Sequence, residues 1–191
     1  MRFKIGLMVL SVLFLGTAWA AMPLAPAFGP NTYTIPAALG SLLPIDPPKP
    51  MPKTVFQDPS GGPVSFTQFK GKRLVVFFWS EACAPCLKTM PSLNKMAERY
   101  AGQGFEVVPI AVDSTGAAGA KALLARQKWP RLKAYADPKR ELAGELGISY
   151  LPTAVLVDSA GMATAVLLGP QNWDGQDMLN AVMSNASPKA K

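Results

Sequence analysis

The chain contains no histidine and only two cysteines in 191 residues. A zinc site would have to rest on Cys83 and Cys86 alone, leaving half of a tetrahedral shell empty. Acidic residues are few, 12 against 19 lysines and arginines, for a formal net charge of +7. Arg2 and Lys4 carry two of those charges. Most of the rest are scattered, as Lys70, Lys72 and Arg73, then Lys128, Arg131 and Lys133, then Lys139 and Arg140. No stripe alternates basic with aromatic side chains, which argues against a nucleic-acid partner. The surplus makes a solvated surface mildly attractive to acidic partners or to a membrane.

Long apolar runs are confined to one place. Arg2 and Lys4 precede Ile5 to Leu15, and Ala18-Trp19-Ala20 puts small residues where a signal peptidase reads. Residues 1–20 are therefore expected to be a signal peptide cleaved after Ala20. The alternative is an uncleaved anchor, since Ile5 to Ala21 just reaches spanning length. No cysteine stands near the end of the run, which excludes a lipid anchor on cysteine. Either way the domain would face an oxidising compartment.

Residues 21–52 hold eleven prolines and glycines, among them Pro44, Pro47, Pro48, Pro50 and Pro52, and read as a semi-extended linker. The folded domain is expected over 53–186, followed by a polar, basic tail at 187–191. Lys53 to Phe56 and Val64 to Phe66 read as short strands around the turn Asp58-Pro59-Ser60-Gly61-Gly62. Arg73 to Trp79 is a β-branched and aromatic run suited to a buried strand. Met90, Leu93, Ala97 and Tyr100 recur at helical spacing, and Gly102 to Gly104 ends that helix. Phe105 to Val112 is a further strand, in which Pro109 predicts a bulge or one-sided pairing. A helix over Ala117 to Gln127, a strand at Leu132 to Ala136 and a helix capped by Asp137 through Leu146 follow. Leu151 to Val157 and Met162 to Leu168 then form a hairpin, and Asp174 starts a last helix to about Asn185. Alternating strands and helices give an α/β domain with a mixed sheet.

The two cysteines stand at the strand-to-helix junction Trp79-Ser80-Glu81-Ala82-Cys83-Ala84-Pro85-Cys86. That placement sets the first sulfur beside a helix N-terminus, where free N–H groups and the helix dipole favour thiolate. The second sulfur is close enough to close a small disulfide ring. Such a ring restricts the unfolded chain little, so a redox pair fits better than a structural staple.

This motif, with Pro91 in the helix and Leu151-Pro152-Thr153 before a hairpin, resembles the thioredoxin-like superfamily. The extra strand–helix segment containing Val108-Pro109-Ile110-Ala111-Val112-Asp113, and the closing Gly169-Pro170-Gln171-Asn172-Trp173-Asp174, resemble its exported bacterial TlpA branch. The resemblance covers roughly residues 53–184. It implies a thioredoxin-like fold: a central mixed sheet flanked by helices, with an extra N-terminal hairpin and a central strand–helix insertion. It also implies a thiol:disulfide oxidoreductase that uses no cofactor beyond the Cys83–Cys86 disulfide.

In that scheme Cys83 attacks and Cys86 resolves. Pro152 would be a cis-proline that readies Leu151 to pair with a substrate strand, the alternative being an ordinary trans-proline. Ala84 and Pro85 would border the substrate, and Trp79 would either flank the site or serve as a core aromatic. The implied partners are periplasmic protein disulfides and a membrane thiol relay as electron donor, with the protein exported or tethered to the inner membrane through its N-terminus.

Departures from the family pattern matter. Phe77 stands where cytosolic thioredoxins carry an acid, Thr89 where many TlpA-like reductases carry glutamate, and Ala82 where tryptophan is usual. Proton removal from Cys86 would then fall to water, Glu81 or Asp113. The resemblance points to reduction of specific exported proteins, such as those bearing the copper-site cysteines of cytochrome oxidase. A cytochrome c maturation reductase is the alternative, against which Thr153 counts because that branch carries glutamate there. Ala84-Pro85 speaks against a strong oxidant, and Ser80 against a peroxidase. From another class, a Cu(I) metallochaperone would use the soft thiolates, although such carriers add a histidine.

Overall fold

The computed structural model describes residues 42–183. The expected signal segment or anchor at 1–20 and the tail at 187–191 lie outside them. Twelve elements follow in chain order: β1 (Leu42–Pro50), β2 (Phe56–Gln57), β3 (Pro63–Val64), β4 (Arg73–Trp79), α1 (Ala84–Arg99), β5 (Phe105–Ala111), α2 (Gly116–Arg126), β6 (Tyr135–Ala136), α3 (Glu141–Glu145), β7 (Thr153–Val157), β8 (Met162–Leu168) and α4 (Gln176–Met183). The strands form one mixed sheet in the order β1-β8-β7-β4-β5-β6-β2-β3. This is the thioredoxin-like α/β fold.

β4 is central, parallel to β5 and antiparallel to β7. Its alternation sorts the core into two layers. Val75, Phe77 and Trp79 pack with Met90, Leu93 and Met96 of α1, with Leu123 of α2 and with Leu179 of α4. Leu74, Val76 and Phe78 pack on the opposite face with Phe56, Phe66 and Phe69, and with Leu142 of α3. Pro109 stands opposite Phe77 without disturbing the β4–β5 register. On its other side β5 meets β6 only at Ile110 and Ala111, so the missing donor falls where no ladder runs, and the pairing is one-sided.

The boundary at residue 53 is corrected by the sheet. Leu42–Pro50, expected inside the linker, is β1, antiparallel to β8 with an irregularity between Pro44 and Lys49. Prolines forbid a central strand but are tolerated at an edge, where one side needs no donors. β2 and β3 fall slightly off the expected ranges, but the hairpin turn lies at 58–62 as read. Asp58 Oδ1 accepts there from the amides of Ser60 (2.8 Å) and Gly62 (2.9 Å). The strand expected over Leu132 to Ala136 is only two residues long. Asp137 caps α3 from four residues before its first residue, accepting from the amides of Glu141 (3.1 Å) and Ala143 (2.8 Å).

At the foot of β5, Glu106 accepts from Lys72 at 2.6 Å and Lys133 at 2.7 Å. Burial opposes ionisation of Glu106, but the two ammonium groups outweigh it and hold its carboxyl below the usual range. Burial and the neighbouring Glu106 charge push the Tyr135 hydroxyl well up. A carboxylate with a depressed folded-state pKa stabilises the fold at neutral pH, and that contribution is lost as pH falls through the depressed value. Both lysines are about half exposed, so the pair is worth about 1 kcal/mol. Glu106→Gln should lower the melting temperature by about 3 °C at pH 7. Thermal melts should show the difference shrinking as pH drops below the ordinary carboxylate range.

Candidate active site

β4 carries the chain to Trp79, whose carbonyl is tied to β5 by the Val112 amide at 2.9 Å. Ser80 to Cys83 then turn sharply, the Cys83 amide donating to Ser80 O at 3.1 Å. The turn delivers Cys83 as the N-cap of α1, where its Sγ accepts from the Cys86 amide at 3.2 Å. Pro85 occupies the first helical turn, where no N–H is needed. Cys83 and Cys86 are joined by a disulfide. Cys83 is half-buried and flanked by exposed Ala84 and Pro85, whereas Cys86 is 0% exposed. Of the pair, only Cys83 is open to solvent. A thiolate left on Cys83 would face the amides of the helix start, of which Cys86 N–H already donates to its sulfur.

The β4–β7 register pairs Phe78 with Thr153. It thereby brings Leu151 and Pro152 to the end of the sheet where β4 passes into the cysteine turn. The Leu151–Pro152 peptide is cis. Pro152 is buried and Leu151 half-buried. The loop is braced by Gly169 N–H to Pro152 O at 2.9 Å and by Thr153 Oγ1 donating to Tyr150 O at 2.8 Å. Tyr150 is 74% exposed, an aromatic that the sequence reading passed over. It lines a groove of about 760 Å³ with Leu43, Ile45, Thr153 and Leu168, and neither cysteine borders that groove.

Trp79 is corrected. It is 0% exposed, and its indole N–H has no hydrogen-bond partner among the described residues. It points into the layer between sheet and α1, so it is the core aromatic and offers no surface to a substrate. Phe77 is equally buried and stacks edge-on against Trp173, with ring centroids 6.1 Å apart. The Thr89 hydroxyl is buried and donates to Cys86 O at 3.2 Å, so it is committed to the helix backbone. Asp113 accepts from Ser80 Oγ at 2.7 Å and from the Glu81 amide at 2.8 Å. Glu81 in turn accepts from Thr115 Oγ1 at 2.7 Å. Both carboxylates considered for the Cys86 proton thus already accept hydrogen bonds, Asp113 from the cysteine turn and Glu81 from Thr115. Thr115 carried no local signal, and nothing local tied Ser80 to Asp113; only the strand register brings residues more than thirty positions apart together.

A mixed sheet with a Cys-x-x-Cys disulfide at the start of a helix packed on its central strand defines a thioredoxin-like dithiol protein. Comparison with known families matches residues 47–166 to the AhpC/TSA family, and the chain belongs to it. Thiol-disulfide oxidoreductase ResA of Bacillus thuringiensis (strain Al Hakam) is 26% identical over 140 residues, spanning 73% of this chain and 78% of that protein. Among solved structures, a putative thiol:disulfide interchange protein DsbE from Chlorobium tepidum aligns with a TM-score of 0.64 at 24% identity. It covers 72% of this chain and 96% of the other. The thioredoxin domain of thiol-disulfide oxidoreductase BVU-2223 from Bacteroides vulgatus aligns at 0.59 with 27% identity, covering 71% and 94%. The ResA proteins are homologues, and the chain is a thiol-disulfide oxidoreductase.

Proposed function

We propose that the protein is a periplasmic reductant of specific exported proteins, with Cys83 as nucleophile and Cys86 as resolving thiol. The observation that carries this is the unequal exposure of the pair, one sulfur open at a helix N-cap and the other sealed beneath it. The Cys83 thiolate attacks a substrate disulfide, forming a mixed disulfide and releasing one substrate thiolate, which takes up a proton. Cys86, losing its proton, then attacks Cys83 Sγ. The Cys83–Cys86 bond closes and the second substrate thiol leaves, so two electrons and two protons have passed to the substrate.

Leu151 would offer its backbone to the extended substrate segment, with Pro152 packed beneath it and Ala84 and Pro85 as the facing wall. A membrane thiol relay would return the electrons, with the N-terminal segment exporting or tethering the domain. The substrates that fit are proteins whose metal- or haem-site cysteines must be reduced before loading, as in oxidase or cytochrome assembly. Relatives that are exported or membrane-tethered support this placement.

Equilibration of the cysteine pair against glutathione buffers, read by thiol alkylation, tests the direction of electron flow. The expected potential lies between roughly −200 and −270 mV, the range of glutaredoxins and thioredoxin. A value near about −120 mV would mark an oxidant and reverse the assignment.

A further inference from the structure

We propose that Asp113 is a positioning residue for the dithiol, holding the Ser80–Cys83 turn so that Cys83 stands over Cys86, and that it takes no proton from Cys86. The inference rests on the dithiol reading above and adds the part of the molecule that sets its geometry.

The turn that presents Cys83 has almost no support of its own. Its internal bonds are Cys83 N–H to Ser80 O at 3.1 Å and the Ala82 amide to Ser80 Oγ at 3.2 Å. Its Cys83 end is held to α1 by the Cys86 and Leu87 amides and the disulfide, while the ties on Ser80 and Glu81 come from the loop after β5. One carboxylate oxygen of Asp113 takes the Ser80 hydroxyl and the other takes the Glu81 amide. The first two residues of the turn are thereby pinned to a group that the β4–β5 register has already located. Thr115, two residues on, donates to the Glu81 side chain and makes a third tie. The packing around that tie is close: a Cβ on Gly119 would lie 2.3 Å from Thr115 Oγ1 and 2.6 Å from Glu81 Oε1. Only glycine at 119 leaves room for this arrangement.

Both Asp113 oxygens are occupied by donors on the turn, so the carboxylate is spent on geometry. Ring closure depends on how often Cys83 Sγ, carrying a partner thiol, lies within reach of Cys86. Restraint of this kind raises the effective molarity of two groups without changing their chemistry. The reacting residues lie at the end of the restrained turn, so loosening it acts on them directly.

The test compares the full chain with Asp113→Ala and Asp113→Asn, using glutathione as the probe. In the measured step, a Cys83–glutathione mixed disulfide is attacked by Cys86, closing the Cys83–Cys86 bond and releasing glutathione. Asp113→Ala should slow closure, and lower the effective molarity of the pair, by about tenfold. Asp113→Asn should restore both to within about twofold. Its amide oxygen can accept from the Glu81 amide, while its NH₂ donates to a Ser80 hydroxyl turned to accept.

If Asn and Ala slow closure equally, Asp113 is a proton acceptor and the proposal falls. If Ala lowers the melting temperature but leaves the glutathione equilibrium and the closure rate unchanged, the role is structural only and the proposal also falls. The dithiol reading fails separately, if the wild-type pair forms no mixed disulfide with glutathione.

Discussion

Cys83→Ser should reduce disulfide exchange to background, while Cys86→Ser should accumulate a stable mixed disulfide with whatever the protein attacks. The asymmetry follows from exposure. Cys83 is partly exposed and stands at the helix start, so in the proposed scheme it makes the attack. A serine hydroxyl there is essentially un-ionised and cannot replace it. Cys86 is sealed by α1 and the sheet, so its loss leaves the first step intact and removes only the release. Non-reducing electrophoresis of each variant with a disulfide-bonded substrate checks both halves. A Cys86→Ser variant that turned over normally would sink the two-step scheme. Neither change should unfold the domain, because a ring this small stabilises weakly.

The largest stability effect is expected at Phe77. Its ring is fully buried in the central strand and meets Trp173 edge-on, joining the sheet to the segment before α4. Phe77→Ala should cost about 3–5 kcal/mol, combining lost transfer energy with an unfilled cavity. That is a large share of the roughly 5–15 kcal/mol that holds such domains together. Urea titration followed by circular dichroism should show a much lower midpoint with an unchanged slope. A loss below about 1 kcal/mol would mean that the layer between sheet and α1 repacks freely.

Phe77 and the proline-rich segment differ in how far their residues report their own surroundings. β4 and α1 were legible because their residues report their own surroundings: an unbroken apolar run for a strand buried on both faces, and helical spacing at Met90 and Leu93. The cysteine motif was legible because its chemistry depends on local spacing. β1 was not, because prolines carry the same local meaning in a linker and at a sheet edge. Only pairing with β8 separates the two. Trp79 was ambiguous for a related reason, since an aromatic beside a motif can turn either way until the strand's alternation is anchored. Asp113 was visible as a carboxylate, yet its task depends on a register between β4 and β5 that no local pattern encodes.

The prolines of β1 also decide who can join the sheet. Pro44, Pro47, Pro48 and Pro50 remove four of the nine amide donors from one outer strand. At the far side the outermost strand is the two-residue β3, itself begun by Pro63. An extended chain seeking a ladder finds neither border receptive, so copies of the protein have little means of stacking border to border. If Leu151 takes a substrate strand as proposed, recruitment would be confined to that loop and not spread along the borders.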